Sequence, residues 1–328
     1  MIVGSGVLGF AVLGITLTIV QLWLLNCLMA YSAYLGMTSG AFSIAYVAFI
    51  GLGAYAAAIL ATEYGASMPE NIVAAGLLCA FVALVVVRPL ERLSGVYLAI
   101  ASVGIVALFQ ILLFNLDGLT KGATGIQDVP LSAGTWTLAA TLVVVALLLR
   151  QLEHSDLGRA IRMTRLDPIV AVSLGVNVRR VRLWLFVASG FVGGVAGAVR
   201  AHYFGYVAPE AYSFDLVVLL LAMVVIGGIG SWIGPLVGAA IFTLLPEWLQ
   251  GFGLWRDLVT GALLLVIVIA TREGLVGAVR YGWYTFRRRL RHRTAKAPIE
   301  PAPLEWSQER TVTDTGAPEP RTLEPEEL

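Results

Sequence analysis

Charge is what this chain has least of. Only 13% of its 328 residues are Asp, Glu, Lys or Arg, roughly half the ~25% of a soluble domain, while 58% are hydrophobic. Mean hydropathy is +0.84. So few charges cannot cover a water-facing surface, which excludes an ordinary soluble fold and makes lipid the solvent. Cysteine is nearly absent. Cys27 and Cys79 both lie in apolar stretches, which excludes a disulfide framework or a metal spacing and leaves small buried hydrophobes. The first six residues lack a basic n-region, so the first apolar stretch reads as a retained span rather than a signal peptide. No G-x-x-x-x-G-K-[ST] phosphate loop is present, so any ATPase is a separate chain. A net charge of +1 gives no reason to expect a nucleic-acid partner. The centres of the apolar stretches read as essentially free of ionisable residues, which argues against a proton-coupled pump. Three classes stay open: a carrier powered by another subunit, a sodium-coupled carrier using backbone carbonyls, and a channel.

What the chain has is apolar length. Nine stretches approach the ~20 residues a spanning helix needs: 6–29, 36–61, 71–87, 95–114, 136–149, 183–199, 216–229, 233–249 and 258–270. The expected fold is all-α, a polytopic membrane helix bundle of about 8–10 transmembrane helices with glycine-broken segments. The stretch 36–61 contains Gly40, Gly51 and Gly53 and reads as a re-entrant piece plus a helix. Residues 1–280 form the expected permease domain. Residues 281–293 mix Trp283, Tyr284 and Phe286 with arginines, as an interfacial amphipathic helix or a basic stop-transfer flank does. Residues 294–328 are rich in Pro, Glu and Thr and are expected to be a disordered tail.

Arginine placement gives sidedness. Loop 151–182 holds six arginines, link 88–94 holds Arg88 and Arg92, and segment 271–293 holds seven more. These should be cytoplasmic, the C-terminus included. Loops 62–70, 115–135 and 202–215 hold Lys121 as their sole lysine or arginine and should face the other side.

Small residues form seams. Gly190, Gly193, Gly194 and Gly197 make overlapping G-x-x-x-G spacings, repeated by Gly36/Gly40 and Gly234/Gly238. Such spacings let helices pack closely in lipid. Gly227, Gly228 and Gly230, followed by Ser231, Gly234 and Pro235, break a helix and either pack tightly or expose backbone to a solute path. Gln21, Asn26, Thr38, Ser39, Ser43, Tyr46, Tyr55, Tyr97, Ser102 and Gln110 line a path or bond helix to helix. Tyr31, Tyr34 and Trp136 read as interface anchors.

Loop 151–182 is the most informative. Ser155 or Asp156 caps a short helix on which Arg159, Arg162 and Arg165 share a face. Asp167-Pro168 starts a second short helix. Its Ile169, Ala171, Val172 and Leu174 are apolar, Gly175 ends it, and Asn177 can cap the next helix. Either a soluble partner buries this elbow or anionic lipid does.

Three blocks resemble the LivM-type permease subunits of branched-chain amino acid importers, relatives of urea and short-amide permeases. The first runs from Gly40-Ala41-Phe42-Ser43 to Gly51-Leu52-Gly53-Ala54-Tyr55. The second is Leu93-Ser94-Gly95-Val96-Tyr97-Leu98-Ala99-Ile100 with Lys121-Gly122-Ala123-Thr124-Gly125-Ile126. The third joins Leu157-Gly158-Arg159-Ala160, Pro168 to Asn177, Ala201-His202-Tyr203, Val207-Ala208-Pro209-Glu210 and Val225 to Pro235. The resemblance implies a subunit with no cofactor or catalytic centre of its own. It implies a LivH-like second permease, two ATPases carrying ATP and Mg, and a periplasmic binding protein. Coupling to the ATPases would fall on Leu166 to Asn177, with Leu166, Asp167, Ile169, Ala171, Leu174 and Gly175 docking and Arg159, Arg162 and Arg165 pairing with partner acids. Ser39, Ser43, Tyr46, Tyr97, Ser102, Gly227, Gly228 and Gly230 are the candidate path residues. A urea or short-amide permease, a self-sufficient channel or carrier, and a membrane scaffold are the rival readings.

Overall fold

The computed structural model describes residues 3–38, 40, 43–90, 93, 95–249 and 261. Eleven helices follow in order: α1 (Val3–Thr38), α2 (Tyr46–Glu63), α3 (Met68–Leu90), α4 (Val96–Asn115), α5 (Asp117–Thr120), α6 (Thr135–His154), α7 (Asp156–Leu166), α8 (Pro168–Ser173), α9 (Val178–Phe204), α10 (Phe214–Gly227) and α11 (Gly234–Trp248). Among the described residues there is no strand, only a bridge between Ile126 and Val207. Among the described residues six helices are long and apolar enough to cross a membrane: α1 over Thr16–Thr38, then α2, α3, α4, α6 and α9. The shorter α10, 14 residues, spans about 21 Å, less than the ~30 Å hydrocarbon core. It forms a hairpin with α11. These eight account for the first eight apolar stretches. Stretch 258–270, the interfacial segment 281–293 and the tail 294–328 lie outside the described residues.

Two faces emerge from the loops. Gln21 Nε2 donates to Thr135 Oγ1 at 2.6 Å, and Ile126 pairs with Val207, so the start of α6 and loops 115–135 and 202–215 share a face with the middle of α1. The other end of α1 meets α7, because a Cβ on Gly40 would lie 3.3 Å from the Arg165 Cα. The arginine-rich loop 151–182 and the end of α1 therefore lie together on the face expected to be cytoplasmic. That resolves the parity the sequence left open: α1 runs toward the arginine face and α2 runs back from it.

The stretch 36–61 is not a re-entrant piece. α1 continues unbroken to Thr38, and the break falls at Gly40, whose φ is +71°. Gly51 and Gly53 sit inside α2. They serve packing: a Cβ at Gly53 would collide with the backbone of Gly194.

The core is built round α9, which packs on α1, α2 and α3. Gly190, Gly194 and Gly197 have no room for a side chain, and Gly197 would drive one into the Ile50 carbonyl. In lipid the hydrophobic effect does not join helices, so close backbone approach and hydrogen bonds must. Ser32 and Ser189 supply a reciprocal pair: each hydroxyl donates to the other's carbonyl at 2.8 Å. Cys27 and Cys79 are buried thiols within this packing. Facing outward, α3 shows Val73, Leu77, Phe81 and Val85, and α4 shows Ile100, Leu108 and Ile111. Such apolar rows are costly in water and cost nothing in hydrocarbon.

One sequence expectation fails here. Tyr31 and Tyr34 are not interface anchors; both are buried on α1 among the core helices. The helix α9 runs on to Phe204 and so carries Arg200 and His202 near its end, away from its centre.

Candidate functional site

The elbow between α6 and α9 is made by local chemistry. Ser155 Oγ accepts from the Gly158 amide at 3.3 Å and starts α7. Asp167 Oδ1 accepts from the amides of Ile169 at 2.8 Å and Val170 at 3.2 Å, starting α8 behind Pro168. These side chains satisfy amides that a helix start leaves unpaired. Gly175 adopts φ +82°, and the Val176 amide returns to the Ala171 carbonyl at 2.9 Å, which ends α8. Asn177 Oδ1 accepts from the Arg180 amide at 3.1 Å and opens α9.

The elbow exposes an apolar ridge. Leu166 is 82% exposed, Ile169 81%, Leu174 64% and Val172 60%. Ala171 points the other way and is fully buried, so it holds the elbow together and cannot itself fill a partner's groove. The arginines are not an idle row either. Arg159 pairs with Asp156, Arg162 Nη1 donates to the Glu153 carbonyl at 2.9 Å, and Arg165 Nη1 donates to the Ile229 carbonyl at 2.7 Å.

Arg165 thereby reaches the glycine-rich turn between α10 and α11, as does Glu153, whose Oε2 accepts from the Trp232 amide at 3.0 Å. The elbow and this turn are tied at two points. No sequence signal marks either tie, since the partners stand 64 and 79 positions apart. Within the turn, Gly228 has φ +104°, a Cβ on Gly227 would meet the Gly234 carbonyl, and one on Gly238 would meet the Met223 carbonyl. Gly227 and Gly228 thus sit at close backbone contacts. Gly230 has open space around its Cα and lines a small cavity with Arg165 and Tyr34.

The candidate path residues separate into three groups. Ser43, Tyr46 and Ser102 are buried where α1 passes to α2. The Ile44 amide donates to Ser102 Oγ at 3.1 Å, and Tyr46 donates its hydroxyl to the Val217 carbonyl at 3.1 Å. Ser43 also borders a cavity of about 700 Å³ that it shares with Val172, Gly175, Asn177, Arg182 and Phe186, so one polar residue of this group meets the elbow. Tyr97 stands apart, 74% exposed on α4. Ser39 lies outside the described residues.

On the opposite face lies His202, which sequence reading placed in the third block but gave no role. It is 1% exposed and ties three segments. Nδ1 donates to the Pro130 carbonyl at 3.0 Å and lies 3.1 Å from Ser132 Oγ, while Nε2 accepts from Asn71 at 3.3 Å. On the same face, Tyr212 is fully buried; burial pushes its phenol pKa up, against the pull of Arg200. The one available signal was an arginine and a histidine directly following an apolar run. Among the described residues no group of His, Cys, Asp or Glu is arranged to hold a metal.

Known proteins are similar to this chain in sequence. The chain is 30% identical over 276 residues to the high-affinity branched-chain amino acid transport system permease protein LivM of Escherichia coli, covering 74% of this chain and 65% of that one. The LivH permease of the same system in E. coli is 25% identical over 249 residues, 70% of this chain and 74% of its own. A fructose import permease protein, FrcC of Rhizobium meliloti, is 30% identical over 142 residues, 41% of this chain and 39% of its own. The chain thus spans about 65% of the length of the LivM proteins it matches. No solved structure gives a significant match. A family profile described as branched-chain amino acid transport system / permease component matches residues 5–268, a range that takes in the glycine-packed core and the elbow, and this chain belongs to that family.

Proposed function

We propose that the chain is one permease subunit of a binding-protein-dependent importer of branched-chain or other neutral amino acids, in a bacterial inner membrane with its C-terminus cytoplasmic. The observation that carries this is the elbow: an ordered, capped helix pair with an apolar ridge, on the arginine-rich face of a chain without a nucleotide motif. Such a ridge gains by burial, about 25 cal/mol per Å² of apolar surface. The partner that would bury it is an ATPase, and two of these, holding ATP and Mg, would drive a pair formed by this chain and a LivH-like second permease. A periplasmic binding protein would deliver solute to the opposite face, and membrane lipid would surround the bundle.

In this mechanism ATP binding draws the two ATPases together and moves the elbow. Arg165 and Glu153 pass that movement to the turn between α10 and α11. The bundle alternates between outward- and inward-open packings, because packed helices switch between discrete arrangements rather than deform smoothly.

The test is purification of the tagged chain from its own membranes, followed by uptake in proteoliposomes. The expected result is recovery with two ATPase chains and a second permease, and L-leucine uptake that needs ATP and the binding protein. Uptake of urea or a short amide in place of amino acids would reassign the solute. Uptake by this chain alone, without ATP, would establish a channel or ion-coupled carrier and end the importer reading.

A further inference from the structure

A cation inside a span raises the question of what answers its charge. Arg200 is half-buried one turn before the end of α9. Its guanidinium carbon lies 5.4 Å from the centre of the Phe204 ring and 5.3 Å from that of Tyr212. Its Nη1 lies 3.7 Å from the Met29 sulfur. Aromatic rings attract the cation and fix its plane. They leave its N–H donors without oxygen acceptors, and a guanidinium has five of these. No described carboxylate forms an ion pair with it.

Arg200 opens on a cavity of about 530 Å³ between α1, α9 and α10. Glu210 and Asp215 line the same cavity, and Leu22, Leu25 and Leu219 give it an apolar wall. The cavity therefore presents one cation, two anions and an apolar surface. A simple anion would meet the two carboxylates as well as the arginine. An acidic side chain from a neighbouring subunit would meet the same repulsion. A zwitterion with an apolar side chain matches all three features.

We propose that this cavity is a binding station for a zwitterionic amino acid. Arg200 takes the carboxylate in a two-pronged pair. Glu210 and Asp215 face the ammonium group, and the leucine wall receives the side chain. Phe204 and Tyr212 hold the guanidinium in position. This rests on the importer reading and deepens it, by assigning to this chain a place where solute is held.

The test uses the complete purified complex in lipid nanodiscs without the binding protein, probed with radiolabelled L-leucine and L-leucinamide. Leucinamide keeps the ammonium and the side chain but has no carboxylate. The wild-type complex should bind leucine at least about tenfold more tightly than leucinamide. Arg200→Gln should weaken leucine binding at least about tenfold and remove the preference, with Arg200→Lys losing less because a point charge replaces the fork. Asp215→Asn with Glu210→Gln should weaken both probes. The variants should purify with all their partner chains. Equal binding of the two probes by the wild type would overturn the station without use of any variant. Wild-type leucine affinity in Arg200→Gln would overturn it too, and so would loss of the second permease from that complex, which would make Arg200 an interface ion-pair residue. ATP-driven amino acid uptake by wild type alongside any of these results would leave the importer reading standing. Failure of the wild type to import or bind any amino acid would end both.

Discussion

The core around α9 and the elbow of α7 and α8 solve opposite problems with similar residues. At the core, Gly190, Gly194 and Gly197 bring backbones together, and the Ser32–Ser189 pair locks α1 to α9. A side chain has no room at those glycines. At the elbow the glycine ends a helix, the small Ala171 faces inward, and the large apolar side chains Leu166, Ile169 and Leu174 face outward. A core helix in lipid is stabilised by closeness, because lipid gives apolar side chains no reason to associate. Exposed apolar side chains that meet water do have a reason to find a partner. The core holds its helices at backbone contact; the elbow, in the function proposed above, passes on a change made elsewhere.

Substitutions in both regions sharpen or break this contrast. Gly197→Leu should have the largest effect. It forces a side chain into the Ile50 carbonyl, an overpacking that costs about 3 kcal/mol or more. The thermal unfolding of the purified protein should drop sharply, and an unchanged Tm would show that the core yields after all. Ile169→Asp with Leu174→Asp should leave Tm nearly unchanged, because surface changes stay within about 0.5 kcal/mol. Uptake should nevertheless fall at least about tenfold, with ATP hydrolysis no longer stimulated by loaded binding protein. Normal uptake would mean that the ridge touches lipid only.

Arg165→Gln and Glu153→Gln cut the two ties between elbow and turn. Each should lower uptake several-fold while the ATPases still copurify, and the double variant should lose less than the product of the two, since residues in one network do not act additively. Independent effects would argue against a shared route. The smallest effect belongs to Asp167→Ala, which removes the α8 cap at a cost of about 1 kcal/mol. Faster amide hydrogen exchange confined to 168–174 is the expected signature. Ala171→Asp belongs with the core variants, since that buried site should unfold the elbow rather than merely undock it.

What was legible in the sequence was legible because it is local. Ser155, Asp167, Gly175 and Asn177 each act on groups within about one turn of themselves, so the elbow's helices and breaks could be read from residue order. The boundary between the first two stretches was misjudged, with Gly36 opening the second although α1 runs on to Thr38, because a glycine inside an apolar run does not announce whether it bends the chain or packs against a neighbour. Gly53 packs and Gly40 bends, and only the neighbouring backbone distinguishes them. Ser43 and Ser102 were named as path residues, yet their meeting through the Ile44 amide joins positions 58 apart.

By itself the sequence determined that the chain is helical, lipid-embedded and fitted with a capped elbow, and its arginines gave the expected sidedness. These follow from hydropathy, charge placement and short-range hydrogen bonding. Tertiary structure alone decided which glycines touch backbone, that Ala171 faces inward, that Arg165 and Glu153 grip a distant turn, and that Arg200 faces a cavity with two carboxylates. Each of those depends on where a second helix lies, and a helix's neighbours are set by packing across the whole bundle.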